Sequence, residues 1–489
     1  MSNINVREEI LKCRDNIVIS AGAGSGKTSI LTQKILDDLQ KNRTHYKVAA
    51  ITFTNKAAEE IKDRLKGKFK GNFIGTNDSF VENEIIRPFI EDAFNNEYKN
   101  DFIVTYTKEK FDTYNEGLEI LKNSKLLSKY KDNKKNFKFQ LALDILNKSK
   151  VARQYLIARY SRIYIDEYQD SDNDMHKLFM YINELGIKLF IVGDINQCIF
   201  KWRGANPDLF KSLFDKKDKF TMFELKENFR CCTDIQNYSN LMCYKTLDNY
   251  IDNGKAENVI GIYKGNMLNY IDIDKEIAIL VWKNDTAIEL EANLKEEGFD
   301  FIYIPRTPLD ELGTNNKNIL IELARFIKDC KYSHFDLIKN LGLDLNKEEI
   351  EEFKSILSLL NRELSNNEIE QVLIKIFEFL SLEFNEVNEI NAFIEVVTNI
   401  KYENSFNGKT YLHKIITVHS AKGLEFEQVI MFASDFKIYS RKHEQEHYVS
   451  VTRAKSKLII NLDDIYYKKY IDNMCSSLRL DVSNVIMID

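Results

Sequence analysis

The sequence predicts an α/β fold of two parallel-sheet domains, each interrupted by a helical insertion. Three observations carry that expectation. Short β-like runs recur at residues 17–20, 48–53, 163–165, 189–192, 277–281, 415–418, 429–432 and 457–460. Several are continuously apolar, as in strands covered on both faces of a parallel sheet, and helical patterns separate them. Two blocks break this rhythm: residues near 85–155 and near 300–405 read as almost wholly helical, with apolar side chains at three- and four-residue spacing such as Leu320, Ile321, Leu323, Ala324 and Ile327. Finally, 489 residues exceed what one core usually holds, while four prolines and 18 glycines leave little material for linkers, so the domains are expected to be interleaved.

The first run leads directly into a glycine-rich turn, Ala21, Gly22, Ala23, Gly24, Ser25, Gly26, Lys27, Thr28 and Ser29, and then into a helical pattern of Ile30, Leu31, Ile35, Leu36 and Leu39. Strand, bare turn and helix N-terminus in that order make a phosphate cradle. Glycines let backbone N–H groups approach a polyphosphate, and the helix end adds partial positive charge. Lys27 is expected to reach the terminal phosphates and the Thr28 hydroxyl to ligate Mg²⁺. These nine residues are the candidate nucleoside triphosphate site.

The run at 163–165 ends in two adjacent acids, Asp166 and Glu167. At a strand's C-terminal end, Asp166 is expected to hold the Mg²⁺ shell with Thr28, and Glu167 to orient or deprotonate the attacking water. Two arginines far along the chain, Arg230 and Arg453, are candidates for spreading γ-phosphate charge, because a planar guanidinium donates several hydrogen bonds at once.

Composition narrows the class. The net charge of −6 offers no bulk attraction to nucleic acid, but the charge is unevenly placed. Residues 122–162 are strongly basic, opposed within the segment only by Asp132 and Asp144, and could contact a phosphate backbone or form a solvated face. Residues 341–390 carry an excess of glutamate and suit a protein contact or a plain exterior. The seven cysteines show no CxxC spacing, which points to thiols in a reducing cytosol, with the vicinal Cys231 and Cys232 structural. No apolar stretch approaches the ~20 residues of a membrane span, and the N-terminus lacks a signal-peptide pattern, so a cytoplasmic location is expected.

Eight segments in order complete the reading: the loop, TFTNKAAEEI (52–61), GTNDSF (75–80), IDEYQD (165–170), VGDINQCIFKWRGA (192–205), LKENFR (225–230), TVHSAKGLEFEQV (417–429) and YVSVTRAK (448–455). This series resembles the helicase motifs of UvrD/Rep/PcrA-type superfamily 1A proteins. The resemblance implies two RecA-like P-loop domains with ATP in the cleft between them. It places the first domain (1A) at 1–84 and 156–215, with insertion 1B at 85–155. The second (2A) falls at 216–298 and 406–489, with a reduced insertion 2B at 299–405. Gln197 then resembles the γ-phosphate sensor, Arg230 and Arg453 the fingers, Gly423 and Glu425 the ribose- and phosphate-side contacts, and Phe229 the ring stacked on the base. Thr52, Phe53, Thr54, Asn55 and Thr76 resemble strand-contact motifs, Trp202 with Arg203 the base-stacking step, and His419 the second domain's DNA contact. Trp282, the other tryptophan, is expected in the core of a strand.

Departures from the pattern carry information too. Val6 stands where the family has an adenine-reading glutamine, so base selectivity is expected to relax. Asp78 replaces a usual histidine, and Cys198 and Phe200 a serine and a tyrosine. The chain is shorter than a full UvrD-type motor and carries no nuclease motif. Its compact outline, with segments 71–90, 136–146, 229–241 and 446–455, is similar to the helicase-like subunits of bacterial Gabija anti-phage systems. That likeness implies a partner of the GajA ATPase/Toprim nuclease type and a 3′–5′ DNA helicase activity. A sensor of DNA ends that hydrolyses nucleotide without processive unwinding, and a housekeeping repair helicase, are the alternatives.

Overall fold

The computed structural model describes residues 3–489 apart from 43, 106–108, 264–265, 313–315, 344, 361–363, 383, 385–386 and 409–410. Two compact units divide the chain. Met1–Ile103, Glu109–Glu276 and Ala421–Asp489 form the first, and Val104–Lys108 with Ile277–Ser420 form the second.

The first unit is built on a six-stranded sheet of β1 (Ile17–Ala21), β2 (Lys47–Thr52), β3 (Phe73–Thr76), β4 (Tyr160–Ile165), β5 (Lys188–Gly193) and β6 (Thr221–Leu225), in the order β3-β2-β4-β5-β1-β6. Every pairing is parallel; Ile19, for example, lies between Val192 and Phe223. Ile17 and Ile19 are buried with Ile30, Leu31 and Ile35 of the helix Lys27–Lys41, and with Tyr164, Phe190 and Val192. Burial on both faces is why these strands are apolar at nearly every position. All strands run the same way, so β1, β4 and β5 deliver their C-terminal ends, and the loops that follow, to one edge of the sheet.

Four more strands of this unit, Val259–Ile262, Phe426–Phe432, Ala454–Asn461 and Met487–Ile488, are also mutually parallel. In the second unit, His413–Thr417 pairs in parallel with Ile277–Val281 and with Ile302–Tyr303. The expected α/β fold with parallel sheets is therefore present, and each of the eight runs lies in or overlaps a strand. Several strands were not foreseen, four of them only two residues long. Phe73–Thr76 and Val259–Ile262 are four residues long and contain a glycine, and β6 is an edge strand whose burial is partial.

Helices Lys317–Lys328, His334–Leu341, Lys347–Ser358, Asn366–Phe379 and Val387–Thr398 make up most of the second unit, around Leu320, Leu323, Phe353, Leu373, Phe377 and Phe393. Its glutamates largely decorate the exterior; Glu349 and Glu368 close capping boxes at helix starts. Glu363, Glu383 and Glu386 lie outside the described residues. The other block is less helical than its spacing suggests. Helices Arg87–Ala93, Tyr114–Ser124, Phe137–Lys148 and Lys150–Arg159 are separated by turns and extended backbone, and Asn95 and Asn96 adopt φ of 51° and 64°. Asparagine tolerates that left-handed conformation, so the run 94–102 turns where its apolar residues alone suggested a helix.

About half of the basic segment's charge is neutralised by the rest of the fold. Lys122, Lys125, Lys131, Lys138, Arg159 and Arg162 pair with Glu97, Asp101, Asp112, Glu82, Glu84 and Asp38, all from outside it. The cysteines are free thiols, and burial pushes those of Cys231 and Cys232 up, which makes them poor nucleophiles.

Candidate nucleotide site

The phosphate loop leaves β1 and closes on the helix Lys27–Lys41 through left-handed glycines, Gly24 at φ 69° and Gly26 at φ 77°. Gly24 admits no side chain: a Cβ there would lie 2.1 Å from the Asn228 Oδ1 and 2.8 Å from the Arg230 Cβ. The Phe229 N–H donates to the Gly24 carbonyl at 2.9 Å, and the Arg7 guanidinium donates to the Ser25 carbonyl. From the other side, the Tyr448 hydroxyl accepts the Ala23 N–H at 3.2 Å. Ser25 is buried, its hydroxyl turned onto the Gly22 carbonyl. Lys27 reaches back along the loop, its Nζ 3.3 Å from the Ala21 carbonyl and 3.9 Å from the Asp194 carboxylate.

The acid pair sits beside it. Asp166 follows β4, is buried, and places Oδ2 3.5 Å from the Thr28 hydroxyl. A hydroxyl and a carboxylate oxygen at that spacing are the hard donors that Mg²⁺ selects, so the residues fit the ion. Burial, then the neighbouring Glu167 charge, raises the Asp166 carboxyl. Burial also works to raise Glu167, but the Lys27 and Lys422 charges and a hydrogen bond from Gln169 outweigh it and hold Glu167 below its usual value. The two acids are thus set apart, with Glu167 the one kept ionised. Glu167 also adopts φ 53°, ψ 38°, a conformation that non-glycine residues rarely occupy and that turns its backbone sharply at the strand end.

Around this pair the structure gathers the remaining candidates of the first unit. Gln197 is buried and donates to Asp194 at 2.6 Å. Arg230 forms an ion pair with Glu425 at 2.7 Å and donates to the Thr452 carbonyl at 3.3 Å. Glu425 also pairs with Lys455, at 2.9 Å. Arg453 is almost completely buried, and its guanidinium donates to the Val449 and Leu424 carbonyls at 2.9 and 2.8 Å. Burial and the Arg230 charge pull it down to about 10. Gly423 takes φ 83° in open space. Phe229 is 67% exposed, and the Arg7 guanidinium lies over its ring, 5.4 Å from the centre.

Sequence reasoning passed over five participants. Lys422 forms an ion pair with the buried Asp170 at 2.6 Å and donates to the Gln197 carbonyl at 2.8 Å, tying three motifs together. Asp194, at the end of β5, holds both Lys27 and Gln197. Tyr448 and Arg7 brace the loop. Lys422, Asp170 and Tyr448 stood inside quoted motifs, and Asp194 ends an apolar run as Asp166 does; Arg7 carried no signal.

The strand-contact candidates follow β2 and β3. Thr52 is buried, with its hydroxyl donated to the Thr54 carbonyl, so its side chain shapes the turn and is not on the surface. Thr54 and Thr76 cap the helices Asn55–Leu65 and Asn77–Val81 through the Ala57 and Ser79 N–H groups. Phe53 is half-buried, and the Asn55 side chain lies outside the described residues. Trp202 is 58% exposed, with the Arg203 guanidinium 4.4 Å over its ring. His419 belongs to the second unit. Trp282, expected in a strand core, instead follows the strand Ile277–Val281, half-buried, edge-on to His419 at 5.6 Å. The run 277–281 is the strand as expected, and Trp282 lies one residue beyond its end.

A parallel sheet presenting a phosphate loop, a strand-end acid pair and arginines from distant parts of the chain defines a P-loop nucleotide site, and the comparisons name its class as UvrD-like helicase. An AAA domain model matches residues 7–203, and a UvrD-like helicase C-terminal domain model matches residues 414–460. The chain is 48% identical to the Gabija protein GajB of Bacillus cereus, over 98% of this chain and 99% of that one. It therefore belongs to the Gabija GajB family of UvrD-like helicases. More distant relatives are the ATP-dependent DNA helicase Rep of Buchnera aphidicola, 26% identical over 58% of this chain and 48% of that one, and a probable DNA helicase II homologue of Mycoplasma pneumoniae, 22% identical over 96% and 86%.

Proposed function

We propose that this chain is the helicase-like subunit of a Gabija-type antiviral system, a cytoplasmic DNA-dependent ATPase of 3′–5′ helicase type acting beside a GajA-type ATPase/Toprim nuclease. The observation that carries the reading is the assembly of Lys27, Thr28, Asp166, Glu167, Gln197, Arg230 and Arg453 about one loop. The loop N–H groups and Lys27 bind the phosphates. Thr28 and Asp166 would hold Mg²⁺, which supplies charge neutralisation at the β- and γ-oxygens. Glu167, kept ionised, orients water and takes its proton. Arg230 and Arg453 are bonded here to Glu425 and to backbone carbonyls, so spreading γ-phosphoryl charge requires them to exchange those partners. That exchange supports a coupling of nucleotide state to movement. We assign the domains as 1–84 with 156–215, and 216–298 with 406–489, and the insertions as 85–155 and 299–405.

The second reading, a DNA-end sensor without processive unwinding, is favoured by Val6. Its side chain packs against the apolar core where an amide would otherwise read adenine, which leaves stacking on Phe229 to hold the base. Hydrolysis of ATP, GTP and dATP, measured without DNA, with single strands and with blunt or 3′-tailed duplexes, alongside strand displacement, separates the two. Stimulation by single strands together with displacement supports the motor. Stimulation by ends alone, without displacement, replaces it with the sensor, and no stimulation by any DNA refutes both.

A further inference from the structure

The phosphate loop gives one of its N–H groups to a side chain. The Gly22 and Ser25 N–H groups bond to the Leu225 and Gly22 carbonyls, at 3.4 and 3.3 Å. The Ala23 N–H points instead at the Tyr448 hydroxyl, 3.2 Å away, and a Cβ on Gly22 would lie 3.6 Å from the same oxygen. Tyr448 is only 4% exposed, and its hydroxyl donates to no carbonyl or side chain among the described residues. Burial, then the Asp194 carboxylate, pushes the phenol well above its usual value, so it keeps its proton. That carboxylate also lies 3.9 Å from the Lys27 Nζ, so the hydroxyl and Lys27 serve the same side of the loop. A brace needs none of this. A phenylalanine ring would fill the space, and a buried O–H without an acceptor weakens a fold.

We infer that the Tyr448 hydroxyl is a ligand of the nucleotide's terminal phosphate, donating its proton to the phosphate oxygen that takes the Ala23 N–H. The inference rests on the nucleotide-hydrolysing reading above and adds to that site a ligand besides the loop, Lys27 and the arginines. The N–H groups of such a loop converge on anionic oxygen, so the direction of the Ala23 N–H marks where a phosphate oxygen lies. An oxygen bonded there comes within reach of the hydroxyl, whose own proton is otherwise unused. Rotation about the C–O bond turns that proton onto it, and the hydroxyl changes from acceptor to donor. The new bond is charge-assisted, because its acceptor is ionised. Tyr448 rides on the helix Glu444–Val451, and Arg453 follows two residues beyond the helix end. One short segment would then meet the terminal phosphate at two points.

The test is Tyr448→Phe in the full chain, which deletes one oxygen and keeps the ring. Calorimetry with Mg²⁺ compares a non-hydrolysable ATP analogue with ADP, and steady-state hydrolysis gives kcat/KM. A hydrogen bond to a charged group is worth about 10- to 100-fold in affinity. Tyr448→Phe should therefore weaken the triphosphate analogue and lower kcat/KM by about that factor, and leave ADP nearly unchanged. Equal or tighter binding of the analogue by the variant would mean that the hydroxyl blocks the oxygen's place, and refutes the inference. An equal loss for both nucleotides would assign the hydroxyl to the shape of the loop alone, and refutes it too. Either refutation leaves the nucleotide reading standing. If the unaltered chain binds neither nucleotide, both fall together.

Discussion

Acidification should loosen the helix that braces the phosphate loop, through His447. This residue is buried on the helix Glu444–Val451, its Nε2 2.6 Å from the Tyr467 hydroxyl, which is in turn 2.6 Å from the Tyr238 hydroxyl. Burial pulls the imidazole from 6.5 down to about 3. Above pH 6.5 it is neutral in both the folded and unfolded chain and contributes nothing to pH dependence. Below that, the unfolded chain takes up the proton and the fold does not, so stability is lost progressively from about pH 6.5 toward pH 3. At pH 5 the loss from this one group is about 2 kcal/mol, taking 1.36 kcal/mol for each pKa unit. His447→Gln keeps a hydrogen-bonding amide near Tyr467 and cannot titrate. Urea unfolding of both proteins at pH 7 and pH 5 measures the difference. The unaltered chain should lose about 2 kcal/mol more than the variant, a midpoint shift of about 1 M for a slope of ~2 kcal/mol/M. Tyr448 is the next residue on the helix, so nucleotide hydrolysis should fall over the same pH range. Parallel losses in the two proteins would refute the argument.

Three further outcomes follow from the site. Glu167→Gln should retain nucleotide binding, read by a fluorescent analogue, while turnover falls by about 10²–10⁴-fold, the usual contribution of a positioned base. Gly24→Ala forces a Cβ into Asn228 at a left-handed φ and should abolish nucleotide binding, measured by calorimetry, with secondary structure unchanged by circular dichroism. Lys422→Met strands the buried Asp170 carboxylate and should cost about 3–5 kcal/mol in denaturant unfolding, most of it recovered by adding Asp170→Asn.

The sheets were legible because parallel strands buried on both faces have no polar alternation to conceal them; β1, β4 and β5 stand out as apolar runs that end in chemistry. The loop and acid pair were legible for the same reason, since they occupy strand ends. Residues acting through long-range partners were not. Nothing near Lys422 in sequence says that Asp170 will receive it, and Arg7 becomes informative only when the loop folds over it. Charge counting along the chain misled most, because Lys122, Lys125 and Lys131 meet carboxylates that linear order places outside their segment. Trp282 lies one residue past a strand whose bounds were read correctly, enough to take it out of the core and set it edge-on to His419.

Asn228, Arg230 and Tyr448 all press on the phosphate loop, and this ties nucleotide affinity to distant surfaces by thermodynamic reciprocity. Asn228 and Arg230 precede the helix Thr233–Tyr244, and Tyr448 rides on the helix Glu444–Val451. Any macromolecule that shifts either helix alters the shape of the cradle, and so the dissociation constant for nucleotide. The cycle must close, so bound nucleotide changes that macromolecule's dissociation constant by the same factor, about 1.4 kcal/mol for each tenfold. The loop is thus a gauge as well as a binding site, and titrating nucleotide affinity against a partner reads their coupling without any structure of the complex.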